Sequence, residues 1–104
     1  MSLDIRLTVS IEVGVVDKNI THNLIRMWKE AGVYNGLYES NGMTAKDVLP
    51  TLEIGLQQLL AEPERFKQFD SPNGWGTYKN AVTWLEELIE EFKKYPNGII
   101  SIDR

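Results

Sequence analysis

Leu3-Asp4-Ile5-Arg6-Leu7-Thr8-Val9-Ser10-Ile11-Glu12-Val13-Gly14-Val15 is apolar at every odd position and carries no large apolar residue at any even one. Side chains alternate faces along an extended chain, so the spacing predicts one long β-strand with an apolar face and a wet face. The strand ends near Val15 or Val16, and Gly14 allows a bend or bulge there. The chain then runs into Asn19-Ile20-Thr21-His22-Asn23, which holds the only histidine. Asp17, Asn19 and Thr21 each carry a short polar side chain able to cap a helix. A stiff strand thus delivers a small polar cluster to the start of a helix.

Helical spacing follows. Ile20, Leu24, Met27, Trp28 and Ala31 share one face, and Gly32-Val33 reads as a Schellman ending with Val33 folded back on Trp28. Residues 33–43 are turn-rich through Asn35-Gly36 and Asn41-Gly42, with Leu37 and Tyr38 in a short helical turn that tucks inward. A flap carrying Tyr34 and Tyr38 is the alternative. Thr44 opens a second helix in a weak capping box with Asp47, burying Val48, Leu49, Leu52, Leu56, Leu59 and Leu60. Pro50 leaves two readings: a kink after one turn, or a start at Asp47 that places Pro50 in the first turn. Gly55 costs about 1 kcal/mol against alanine in mid-helix, and a close-packed neighbour is the ordinary reason for it. Pro63 starts a short helix through Phe66.

Ser71-Pro72-Asn73-Gly74 fits a β-turn, and Trp75 follows between two glycines. The third main helix is capped by Gly76 or Thr77. Its apolar stripe is Tyr78, Ala81, Val82, Leu85, Leu88, Ile89, Phe92 and Tyr95, with Trp84 beside it and Glu86, Glu87, Glu90 and Glu91 on the wet face. Glu90 and Lys94 stand in the favourable order for an ion pair. Pro96-Asn97-Gly98 ends the helix, and Ile99-Ile100-Ser101-Ile102 reads as a closing strand.

These elements predict an α+β domain spanning 1–104. The N- and C-terminal strands form a small sheet, antiparallel by preference, covered on one face by three main helices at about 20–31, 45–61 and 77–95, plus short helical turns. A two-stranded sheet needs such a cover. The first strand is longer than its partner and leaves an open edge, which proteins seldom tolerate. This predicts a homodimer in which first strands meet edge to edge, against a monomer with a helix or loop over that edge.

Composition narrows the function classes. The chain has 104 residues, 42% hydrophobic and 25% charged, no cysteine and a net charge of −4. One core without disulfides suffices at this size, and the absence of thiols suits a reducing compartment. An acidic balance argues against nucleic-acid binding. No apolar run approaches the roughly 20 residues that span a membrane, and no secretion signal is visible.

Catalytic motifs are not found. Ser10, Ser40, Ser71 and Ser101 sit in no nucleophile elbow. A single histidine without cysteine makes a zinc site improbable. No phosphate-binding glycine loop or cofactor fingerprint is present. The paired glutamates read as a solvated helix face. Two clusters remain: Asn19, Thr21, His22 and Asn23, and Asp70, Asn73, Trp75 and Tyr78. Both lie at helix starts, where free amides favour an anion or polar ligand. The site expectation is therefore Asn19, Thr21, His22, Asn23, Asn73, Trp75 and Tyr78, with Trp75 or Tyr78 stacking on a planar ring and His22, Asn23 and Asn73 binding its polar edge. The competing expectation is purely structural: Asn19 and Thr21 as caps, Asn73-Gly74 as a turn, Trp75 as a core plug.

The blocks Asn19-Ile20-Thr21-His22-Asn23-Leu24, Ala31-Gly32-Val33-Tyr34 and Asn73-Gly74-Trp75-Gly76-Thr77-Tyr78 resemble small uncharacterised proteins encoded by phages and prophages, over about Val15 to Arg104. The resemblance implies a bacterial cytoplasm and an accessory role, and it carries no catalytic residue. Three functions follow as expectations. The first is a binding module for a small polar or nucleotide-like ligand. The second is a structural or interaction homodimer. The third, the weakest, is an enzyme with His22 as general base.

Overall fold

The structure, a computed structural model, describes residues 2–10 and 13–104. Strand β1 (Ser2–Ser10) and strand β2 (Val13–Thr21) pair antiparallel, and β3 (Ile99–Asp103) pairs antiparallel with the other side of β1. The sheet order is β2-β1-β3. The single strand expected over Leu3–Val15 is therefore two strands, β1 and β2, paired antiparallel. Its expected course through Ile11 and Glu12 lies outside the described residues.

The register explains the difference. Leu3, Ile5 and Leu7 stand opposite Ile20, Lys18 and Val16, so odd positions of β1 and even positions of β2 share the inner face. The parity changes through a register shift: Thr8 pairs with Gly14 while Leu7 pairs with Val16, leaving Val15 as the extra residue. Gly14 thus sits at the irregularity its sequence position suggested. Ile100 and Ile102 of β3 complete the inner face opposite Leu7 and Ile5. The outer face is polar, with Asp4, Arg6 and Thr8 flanked by Asp17, Asn19 and Ser101. Because β1 is central, it has no long free edge to offer a second copy. That surface, on which the expected dimer relied, is occupied by the two other strands.

Five helices cover the inner face: α1 (Ile25–Ala31), α2 (Tyr34–Tyr38), α3 (Ala45–Ala61), α4 (Pro63–Lys67) and α5 (Tyr78–Lys94). A 3-10 turn, His22–Leu24, leads into α1. Ile20, expected on the helix, belongs to β2 instead. α1 ends as the glycine predicts: Gly32 takes φ 81°, and the Val33 N–H donates to the Trp28 carbonyl at 3.0 Å. α2 tucks inward with Leu37 and Tyr38 buried, so the region is a connection and not a flap.

Thr44 caps α3, which places Pro50 inside the helix and excludes a start at Asp47. Asp47 instead accepts the Thr44 N–H at 3.4 Å. Gly55 has no room for a side chain, since a Cβ there would lie 2.0 Å from Val33 Cγ1. Its close neighbour is Val33, two residues beyond the end of α1. α5 buries Ala81, Trp84, Leu85, Leu88, Ile89 and Phe92 against α3 and the sheet. Its wet face pairs Glu91 with Lys94 at 3.3 Å and Glu90 with Lys93 at 3.8 Å, three residues apart instead of four. Each such exposed pair contributes a few tenths of a kcal/mol at most. Among the described residues, no helix is long and apolar enough to cross a membrane.

Candidate functional site

An open groove of about 1250 Å³ lies between the outer edge of β2, the 3-10 turn, residues 73–76 and one face of α5. Asn19, Thr21, His22, Asn23, Asn73 and Trp75 all line it. Tyr78, the remaining residue of the sequence expectation, does not. Its hydroxyl donates to the Leu59 carbonyl at 2.7 Å, which turns the ring toward α3.

Local hydrogen bonding holds the groove in shape. Thr21 caps the 3-10 turn, its hydroxyl accepting the Asn23 N–H at 3.2 Å. The Asn23 amide donates to the Trp75 carbonyl at 2.9 Å, tying the turn to the loop. Gly76 is buried at φ 100°, and a Cβ there would approach Asn23 Cβ to 3.0 Å and Thr21 Cγ2 to 3.2 Å. Only glycine permits this contact without strain. Asn73 Oδ1 accepts from Ser71 Oγ at 2.7 Å and from the Trp75 N–H at 2.9 Å. Asn19 Nδ2 donates to Ser2 Oγ at 2.8 Å and Asp4 Oδ1 at 2.7 Å across the outer face.

The helix amides expected to attract an anion are largely committed. Asp70 accepts the Tyr78 N–H at 2.6 Å, and the Thr77 hydroxyl accepts the Asn80 N–H at 3.3 Å. An internal carboxylate already occupies the start of α5. The charged residues lining the groove are Lys79 and Glu87, and Lys18 holds Glu87 at 2.7 Å. Recognition here would rest on neutral polar groups and aromatic surface. Trp75 supplies that surface: its side chain is 71% exposed, contrary to the core plug that the structural expectation required. Glycines on both sides hold the loop in a form that leaves the indole outside the core, with Gly74 at φ 77°.

His22 is anchored through one ring nitrogen. Its Nδ1 shares a 2.9 Å hydrogen bond with the Tyr38 hydroxyl, and Tyr38 stacks on Tyr34 at 4.7 Å. Burial pushes the Tyr38 phenol up to about 12, with Tyr34 adding to the rise. Tyr38 therefore stays protonated at neutral pH and fixes one side of the imidazole.

Sequence reasoning missed the α5 wall: Lys79, Asn80, Thr83, Trp84 and Glu87. These lie where the apolar stripe meets the wet face, and the signal available was the i, i+3, i+4 and i+7 spacing of Asn80, Thr83, Trp84 and Glu87. Trp84 is buried and tilted against Trp28 at 5.9 Å, and among the described residues its indole N–H meets no acceptor. Compared with family models, curated proteins and solved structures, the chain matches none of them.

Proposed function

We propose that the protein is a non-catalytic binding module whose groove takes a small, planar, polar ligand of nucleobase or nucleotide type. The observation that supports this most is the exposed Trp75 indole on a groove lined by polar side chains that retain unused hydrogen-bonding atoms. Asn23 uses its amide nitrogen and Asn73 its amide oxygen internally, so Asn23 Oδ1 and Asn73 Nδ2 are left for a ligand edge. A ring stacked on Trp75 gains about 1–3 kcal/mol. Little net charge and committed helix amides favour the base over the phosphate as the recognised part. We place this role in the bacterial cytoplasm, as an accessory protein of the phage-encoded kind the sequence resembles.

Titration with adenosine and with adenosine monophosphate, followed by tryptophan fluorescence and thermal shift, tests the reading. Quenching and a raised Tm are expected, with affinity falling about ten-fold or more in Trp75→Ala. A nucleoside panel that shifts neither signal refutes it. The second reading, a homodimer, is favoured by the open outer edge of β2.

A further inference from the structure

The two edges of the sheet are treated differently. β3 is covered: the Gly42 N–H donates to the Ile100 carbonyl at 2.8 Å, the Ile100 N–H donates to the Met43 carbonyl at 2.8 Å, and the Ile102 N–H donates to Asn41 Oδ1 at 2.9 Å. Ile100 and Ile102 thus point their backbone groups away from β1. Alternation then assigns Asp4, Arg6 and Thr8 to bonding with β3, and Leu3, Ile5 and Leu7 to bonding with Ile20, Lys18 and Val16 of β2. On β2, the backbone N–H and C=O of Asp17 and Asn19 therefore point outward. Among the described residues no backbone group bonds them there. The groove between this edge and α5 leaves space beside them.

We infer that a second copy of this chain pairs antiparallel with β2 along this edge, with a two-fold axis at Lys18, giving a continuous sheet across both copies. The register follows from the strand's own sequence. With the axis at Lys18, Asp17 and Asn19 stand opposite the second copy's Asn19 and Asp17, and their outward groups exchange hydrogen bonds. On the inner face Val16 stands opposite Ile20 of the second copy, twice over. The two lysines meet at the axis, each held by its own Glu87, so the four charges sum to zero. An axis at Asp17 would oppose two carboxylates and set Val16 against Lys18. An axis at Asn19 would set Ile20 against Lys18. Registers displaced by a single residue would put the apolar face of one copy on the wet side of the other.

The second copy's strand would fill part of the groove that the ligand reading uses, so the two compete for that space, and mass and cross-linking read the dimer without reference to any ligand. Light scattering on the full chain should give twice the 11.9 kDa of one chain. The chain contains no cysteine. Facing residues at a non-hydrogen-bonded antiparallel pair lie roughly 4.5 Å apart at Cα, within disulfide reach. Lys18→Cys should therefore cross-link under mild oxidation at least ten-fold faster than Asp17→Cys. Asn19→Pro removes the outward N–H together with the side-chain amide's bonds to Ser2 and Asp4, whereas Asn19→Ala removes only those side-chain bonds; the first should abolish the dimer and the second should keep it, each with an unchanged circular dichroism spectrum. A monomeric wild type, equal cross-linking of the two cysteine variants, or a dimer that survives Asn19→Pro overturns the inference.

Discussion

Gly55→Ala sets helix propensity against packing, so the sign of its effect is informative. Propensity alone favours alanine by about 1 kcal/mol in mid-helix. Packing opposes it: the new Cβ would lie 2.0 Å from Val33 Cγ1 and 3.2 Å from the Ala31 carbonyl oxygen. Carbon pairs rest at roughly 3.5–4.0 Å, so roughly 1.5–2 Å must open. Val33 cannot move away easily. It is fully buried, and its N–H is bonded to the Trp28 carbonyl at 3.0 Å. Overpacking of this kind costs about 1–3 kcal/mol, and with both neighbours fixed the upper part of that range applies. The expected net loss is about 1–2 kcal/mol, a fall in Tm of roughly 5–15 °C for a domain of this size. Urea unfolding followed by tryptophan fluorescence measures it, and an unchanged m-value shows that the comparison is valid. Val33→Ala alone should cost about 2 kcal/mol, while the double variant should be more stable than the sum of the two by about 1 kcal/mol or more. If Gly55→Ala is as stable as wild type or more so, Val33 does not sit against α3 as described.

Thr77→Ala removes the α5 cap, and should cost about 1 kcal/mol in urea unfolding. Trp75→Ala should change stability by no more than about 0.5 kcal/mol, because the side chain is 71% exposed; a larger loss would return Trp75 to a structural role. Tyr38→Phe tests the phenol buried beside His22. The folded state holds Tyr38 protonated up to about 12, against 10.0 for the free group, so wild type binds more protons folded than unfolded across that interval. This contribution is fully present below pH 10, is lost as pH rises toward 12, and is absent from Tyr38→Phe. Chemical unfolding of both proteins at pH 8 and pH 11 should show the wild type losing more stability than the variant.

Much of the fold was legible because it is written in local signals. Gly32-Val33 marks the end of α1, Thr44 and Thr77 open α3 and α5, and the stripes of both helices lie at helical spacing, although Leu60, expected in the buried stripe of α3, is exposed. The candidate site was legible in part. The blocks around His22 and Trp75 suggested two clusters, and the fold brings six of their residues to one groove. The sequence did not reveal that most of their polar atoms serve as caps and turn bonds. It also hid the α5 wall, where Asn80, Thr83 and Trp84 sit at the margin between a buried and a wet face.

By itself the sequence determined that residues 3–10 and 99–102 are extended, that α3 and α5 are helical and where α1 ends, since these depend on residues a few positions apart; it did not show that residues 17–21 continue a strand. Tertiary structure decided that Ser2–Ser10 and Val13–Thr21 are two strands paired antiparallel. The same two-residue alternation runs through Val13 and Val15, and only the Val15-Val16 doublet hints at the change of parity. It also decided that β1 is central and β2 the open edge. Strand order depends on pairings between residues 4 and 103 as well as between 4 and 19, contacts that no local periodicity encodes. The exposure of Trp75 belongs to the same class. An indole between two glycines fits a core or a rim equally well until the packing of Gly76 against Thr21 and Asn23 sets the loop.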